Sequence, residues 1–539
     1  MSARRDFLLR QLRSPYDETQ RSLQRIEIQL ETAKAFATTS SDCEVVSRAE
    51  SAWNNFDPKG GQGSVSQLQS EIESVLAPIG TKLKELTIHC VGHGHIDMNW
   101  MWSWPETTAT TYDTFASVLS LMEQYPQFTY SQSQASVYDL VERLYPEMFE
   151  LIRSRVQEGR WEVAAAHWVE GDKNLASGES LARHLLYTRQ YFREKFGLSA
   201  ADVPIDWEPD TFGHANTIPG ILAQGGIKYY YCCRPGGGHE HPRVGQDRPK
   251  LFWWQGPDGS RILVNRESTW YNSYVNIGDN IALPALIFMK ETGLSHWLNV
   301  YGVGNHGGGP TRTEIDWYQT LSNFPIYPQV NFSTCKQYFE AIESQLPSDL
   351  PVLDHELNYE FTGCYTSQSA IKRANRFGEN FCVEAELLAI LAQQTTGTFW
   401  NDIPCRIREA WIPVLFNQFH DILPGSGVAA TREHALGLFQ EVGALTGAIK
   451  RRAGELLTQN IDTASLLPDT PEGEVERTAM IEGQANAPYV AGSGIGAGHR
   501  GHSQGSSGGK RFRPFTIVNP TPWQRTDWVV VDIYDSDIN

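Results

Sequence analysis

The chain has 539 residues, 40% of them hydrophobic and 20% charged, with a net charge of -18. That length exceeds what one core usually organises, so several domains are expected, and no apolar run approaches the roughly 20 residues needed to span a bilayer. So acidic a chain excludes nucleic acid or an anionic membrane as its main partner, since both require a basic surface, and a neutral substrate fits better.

The N-terminal stretch lacks a secretory apolar segment, because Arg10 and Arg13 interrupt it, which points to a cytoplasmic location. The eight cysteines contain no Cys-x-x-Cys and read as reduced thiols, not as a disulfide framework or a thiolate zinc module. Residues 1–85 form a polar helical region, broken near Lys59-Gly-Gly-Gln-Gly, without chemistry of its own. Over residues 86–349 short apolar runs alternate with amphipathic ones. Strands are expected at Leu86–Val91, Phe128–Ser133, Trp161–Ala166, Val203–Trp207 and Leu298–Gly304. Helices are expected at Thr108–Gln124, Val137–Glu158, Leu181–Phe196 and Thr313–Leu321. This rhythm predicts an α/β domain with a mainly parallel sheet or barrel, whose reactive groups collect on loops past the C-terminal strand ends.

Residues 350–460 turn helical, at Ala370–Gln394, Ile407–Phe416 and Thr431–Leu457, and predict a second domain. Residues 461–513 contain a Gly/Ser-rich run from Gly492 that cannot bury a core and reads as a linker or insertion. The run follows no strand and lacks Gly-Lys-Ser/Thr, so it is no phosphate loop. Residues 514–539 carry strand-like Phe515-Thr-Ile-Val and Trp528-Val-Val-Val, as if a β domain began there.

Three clusters carry chemistry. Past the first strand lies His93-Gly-His-Ile-Asp, in which His95 and Asp97, two apart in extended chain, point the same way and can share one cation. His93 reads as a structural neighbour. The second cluster, Ile205-Asp-Trp-Glu-Pro-Asp-Thr-Phe-Gly-His, again follows a strand. The third, Phe416-Asn-Gln-Phe-His-Asp, places His420 and Asp421 in an apolar stretch. Singly, each also fits a bland reading: a chance His-x-Asp, a solvated acidic loop, a buried hydrogen-bonded pair.

Together, in order, spacing and flanking residues, the clusters resemble the motifs of the family 38 α-mannosidases from about Leu86 to Leu457. Gly304-Asn-His-Gly-Gly-Gly-Pro-Thr and Asn417-Gln-Phe-His-Asp are similar to the cytosolic and bacterial branch. The resemblance implies an irregular seven-stranded parallel β/α barrel, then a three-helix bundle and the start of a β-sandwich, cut short here. It implies one divalent cation, zinc, held by His95, Asp97, Asp210 and His420; cobalt or another first-row ion suits the same donors. Asp210 would also be the nucleophile, Trp100 a platform under the sugar ring, and Asp421 a substrate contact. The implied reaction is retaining hydrolysis of terminal α-D-mannosyl residues from an oligosaccharide or glycoconjugate.

Retention also requires an acid for the leaving oxygen. The related branch has an Asp where this chain has Asn305, which leaves His306 or Glu208 as replacements. Two alternatives stay open: a non-catalytic or weakly active mannoside-binding homologue, and a metal-dependent carbohydrate deacetylase, which would not need His420 and Asp421. Arg234, Trp254 and Tyr271 are candidates to line the pocket, although each type is more often structural.

Overall fold

The computed structural model describes residues 18–56, 61–235, 249–273, 280–304, 307–358, 360–458, 460–462 and 516–529. Two compact units divide the chain: residues up to Ser367 together with Phe419–Thr431, and Gln368–Gln418 together with residues from Arg432 onward. The first unit therefore takes in the short segment carrying His420 and Asp421, although helices flank that segment in sequence.

The first unit opens with three helices, α1 (Glu18–Phe36), α2 (Ser40–Asn54) and α3 (Gly61–Leu83). Thr39 caps α2 by accepting a hydrogen bond from the Asp42 amide at 3.2 Å. Their apolar faces, including Ile26, Leu76 and Ile79, share a core with Leu286 and Ile326.

Strands and helices then alternate. The order begins β1 (Thr87–His93), α4 (Trp104–Gln124), β2 (Tyr130–Gln132), α5 (Ala135–Leu144), α6 (Pro146–Gln157), β3 (Trp161–Val163), α7 (Gly178–Phe196), β4 (Ile205–Glu208). It continues α8 (Ile218–Gln224), β5 (Tyr229–Cys232), β6 (Leu251–Gln255), β7 (Arg261–Arg266), α9 (Ala282–Thr292), β8 (His296–Tyr301). It ends α10 (Arg312–Ser322), β9 (Gln329–Phe332), α11 (Cys335–Glu343), β10 (Val352–Leu353). The single helix expected over Val137–Glu158 is two, because Pro146 cannot continue α5 and instead starts α6.

All of β1 is buried, as suits a strand paired on both sides and covered on both faces. It runs parallel to β8 along one edge, and along the other to β9 and then β2. Where its end crosses the end of β8, Gly302 has φ 144°, and a Cβ there would stand 2.0 Å from the His93 carbonyl oxygen. Only glycine fits.

The resemblance implies an irregular seven-stranded parallel barrel; among the described residues the backbone pairing runs in two separate sheets. The strands make two five-stranded sheets, one with the path β3-β2-β1-β8 and β9 on β1, the other β10-β6-β7-β5-β4. Between β3 and β4 the link is made by side chains: His167, in the loop after β3, meets Asp206 on β4 at 2.9 Å. The second sheet also contains an antiparallel pair, β6–β7. Gly256-Pro-Asp-Gly-Ser between them is a tight turn, which can join only antiparallel neighbours.

The second unit is helical, with α12 (Ser369–Thr396), α13 (Ile403–Phe416) and the body of α14 (Ala429–Thr458). Gly378 lets the three approach: a Cβ there would lie 3.0 Å from Val414 and 3.2 Å from Phe439. Residues 516–529 contain no strand, so the expected opening of a β-sandwich is absent from them; a strand needs a partner for its backbone groups, and Trp528 is 96% exposed. No described helix is long and apolar enough to cross a membrane.

Candidate metal centre and active site

The loop leaving β1 carries His95 and Asp97 into the interior, where both are about 1% exposed. His420 enters from the other end of the sequence, held there by Glu170: its backbone amide and its Nδ1–H both donate to the Glu170 carbonyl, at 3.1 and 2.8 Å. A carbonyl only accepts, so Nδ1 carries a proton and Nε2 is the nitrogen that faces inward.

Three donor atoms, one each from His95, Asp97 and His420, lie within 4.8 Å of one another. His95 Nε2 is 2.9 Å and His420 Nε2 3.3 Å from Asp97 Oδ1. Asp210, at the start of the loop after β4, brings Oδ2 to 4.0 Å from His420 Nε2. It stands outside the three-atom group and reaches it only through His420. Donors about 2 Å from a tetrahedral zinc ion stand roughly 3.3 Å apart, so the spacing has the right scale.

The short distances are not hydrogen bonds. Both His95 nitrogens, Asp97 Oδ1, Glu170 Oε2 and His420 Nε2 are fully buried polar atoms without a directed hydrogen-bond partner. Such orphans are costly unless something else satisfies them. Their electrostatics call for positive charge. Burial opposes protonation of His95, but Glu170 and Asp97 outweigh it and push its pKa well above an ordinary imidazole. His420 rises to about 9 against the same burial, first through Asp97. Burial alone would raise the Asp97 pKa; the two imidazoles hold it at about 2. Two imidazoles and two carboxylates form a borderline donor set that suits a first-row dication, so these residues fit the expected metal.

His93 is excluded from the centre. Its Nδ1–H donates to the Ser131 carbonyl at 2.9 Å and its Nε2 accepts from Trp207 Nε1–H at 3.2 Å. No lone pair is left, and burial lowers its pKa to about 4, which keeps it neutral.

Around Asp210, the Arg234 guanidinium pairs with Oδ1 and, at 3.3 Å, with Glu360. Its carbon stands 4.7 Å from the Phe361 ring and 5.3 Å from the Trp270 ring, which fix its plane. Tyr271 packs edge-on against His95 at 5.2 Å. Of the three candidates to line the pocket, Arg234 and Tyr271 touch these residues. Trp254 does not: it is wholly buried in the second sheet's core, with Nε1–H donating to the His355 carbonyl at 2.9 Å.

Asp421 receives the Ser426 hydroxyl on Oδ1, and its Oδ2 lies 3.7 Å from His420 Nε2. Burial first, then the nearby Asp97 and Asp210 charges, raise its pKa to about 7. Trp100 is half-buried on the loop of His95 and Asp97, and its carbonyl accepts the Val428 amide at 2.9 Å, tying that loop to the His420 segment. Asn305 and His306 lie outside the described residues.

A second cluster has similar composition. His167, Asp206 and Glu208 bring donor atoms within 4.8 Å of one another, all buried. Here Lys173 Nζ already occupies the middle, 3.1 Å from Asp206 and 2.7 Å from Glu208 and in contact with His167. Glu208, named above as a possible replacement acid, also accepts the Thr211 hydroxyl and faces Lys173, so its carboxylate is engaged in this second cluster. A separate, largely apolar cavity of about 280 Å³ beside Leu186, Phe192 and Leu198 holds no acid–base group arrangement.

Residues 85–356 match the family described as Glycosyl hydrolases family 38 N-terminal domain, and residues 360–457 match Alpha mannosidase middle domain. The chain is 32% identical over 361 residues to human Alpha-mannosidase 2C1, covering 66% of this chain and 34% of that protein. It is 31% identical over 386 residues to Alpha-mannosidase G of Dictyostelium discoideum, covering 70% and 34%. It thus spans about a third of the length of these relatives. The crystal structure of an alpha-mannosidase from Enterococcus faecalis V583 shares the fold, with a TM-score of 0.62 at 23% identity over 71% of this chain and 44% of that one. With the first of these families matching half of its length and the second most of its helical part, the chain belongs to glycosyl hydrolase family 38.

Proposed function

We propose that the protein is a zinc-dependent retaining α-mannosidase acting on terminal α-mannosyl residues of oligosaccharides or glycoconjugates. The observation that carries this reading is the set of buried, orphaned donor atoms of His95, Asp97 and His420 beside Asp210, in a chain of this family. When bound, the dication would chelate the cis 2- and 3-hydroxyls of mannose and polarise the ring toward an oxocarbenium-like state.

The remaining steps fall to protein groups. Arg234 holds Oδ1 of Asp210 and leaves Oδ2 toward the centre, so one carboxylate oxygen is oriented for attack on the anomeric carbon. The bond formed is Asp210 oxygen to C1; the bond broken is C1 to the leaving oxygen, which takes a proton, and water later releases the sugar with retention. Trp100 would stack under the sugar and Asp421 would contact it. In this proposal His306, beside Asn305, supplies the acid. A cytoplasmic setting is part of the proposal, supported by eight cysteines none of which is paired.

An aryl α-mannoside should be cleaved by the protein and not by chelator-treated protein, with zinc restoring turnover. A 5-fluoro mannosyl donor should label Asp210. Asn305 favours a second reading, a mannoside-binding homologue with little turnover; sugar binding without a label on Asp210 would select it.

A further inference from the structure

The geometry points to Glu170 and Gln134 as positioning residues for the metal centre, a linked pair behind the donors that fixes both imidazoles at once. This inference rests on the metal-centre reading above.

Glu170 acts through two different groups. Its backbone carbonyl takes the Nδ1–H of His420 at 2.8 Å, and its carboxylate Oε2 stands 2.8 Å from Nδ1 of His95. The outer nitrogen of His420 is committed by that hydrogen bond, the outer nitrogen of His95 faces the Glu170 carboxylate at ion-pair distance, and the two rings lie nearly parallel, 14° apart at 5.4 Å. A carboxylate behind a ligating imidazole also raises the ring's donor strength. The other carboxylate oxygen accepts the Ser133 hydroxyl, which keeps the side chain from turning away.

Gln134 ties this residue to the loop from β1. Its Oε1 accepts the Glu170 amide at 3.2 Å, and its Nε2 donates to the carbonyl of Ile96, between the two donors His95 and Asp97, at 2.9 Å. One buried amide side chain therefore sets the distance between the backbone of the first two donors and the residue that aims the third. Gln134 does this from φ 64°, in the positive-φ region that residues other than glycine rarely adopt. Such strain persists only where the surroundings hold it, and here the buried Gln134 side chain is anchored at both ends of its amide.

Zinc titration of metal-stripped protein tests the pair, with the visible spectrum of the cobalt-substituted protein as a second readout. Glu170→Gln keeps the shape and removes the charge; zinc affinity should fall roughly 10–100-fold and the cobalt bands should shift, while the thermal midpoint of the metal-free protein moves little. Gln134→Gly accepts the same φ without strain and should also weaken zinc, so it decides the matter if Glu170→Gln does not fold. Zinc affinity and cobalt bands like those of the unaltered protein in either folded variant overturn the inference. Asp97→Asn separates the two levels: if it abolishes zinc binding while Glu170→Gln and Gln134→Gly bind normally, only the positioning role falls. If Asp97→Asn binds zinc as tightly as the unaltered protein, the metal-centre reading falls, and the positioning role with it.

Discussion

Two buried clusters of histidine and acid sit at strand ends in the same unit, and one residue separates their chemistry. Around His167, Asp206 and Glu208 the chain supplies its own cation, Lys173, whose ammonium faces both carboxylates. Around His95, Asp97 and His420 no lysine or arginine occupies the middle among the described residues; Arg234 pairs only with Asp210 and Glu360 at the edge. The first cluster holds a cation of its own between its carboxylates, which makes it part of the scaffold. The second is left with orphaned donors and a deficit of positive charge, which an external dication would make good.

The largest expected effect comes from removing the internal cation. Lys173→Met leaves two buried carboxylates uncompensated and should cost about 3–5 kcal/mol, read as a lower urea midpoint for the first unfolding transition. Next in size is the response to metal. Zinc at about 100 times its dissociation constant should stabilise the protein by about 2.7 kcal/mol, seen as a higher thermal midpoint, and should add nothing to Asp97→Asn.

The pH dependence separates the clusters further. Burial opposes ionisation of Asp206, but His167 and Lys173 overcome it and hold its pKa below the usual carboxylate range. A depressed carboxylate contributes stability that is present above its unfolded value, near about 3.9, and is lost as pH falls toward the folded value. The urea midpoint should therefore decline below about pH 4. That acid limb should flatten in Lys173→Met, where Asp206 has lost its cation; an unchanged limb would count against the role given to Lys173. The smallest effect is expected at Trp100: Trp100→Ala should leave zinc binding intact and weaken mannoside binding by about 0.5–1.5 kcal/mol, read as a raised KM.

Much of this was legible in the sequence where the signal is local. The apolar run over Leu86–Val91 foretells β1 within two residues of its observed ends, and the 28-residue α12 follows from its periodicity. His95 and Asp97 are readable because they sit two apart just past a strand. What escaped is contact between distant segments. Glu170 looks like one more acidic loop residue after β3, and nothing in Ser133-Gln134-Ala135 announces a glutamine at positive φ. The chemistry of His167 and Lys173 depends on Asp206 and Glu208, more than thirty residues away. The β6–β7 hairpin did carry a signal in Pro257-Asp-Gly, but the alternating βα rhythm does not include hairpins. His420 falls between two expected helices of the predicted helical domain, whereas the segment Phe419–Thr431 that carries it belongs to the α/β unit.

The most direct measurement is the zinc stoichiometry of three metal-stripped proteins, the unaltered chain, His420→Ala and His167→Ala. One equivalent should bind to the unaltered chain, none at comparable affinity to His420→Ala, and one equivalent still to His167→Ala. Tight binding that survives in His420→Ala, or that disappears in His167→Ala, would contradict the metal-centre reading.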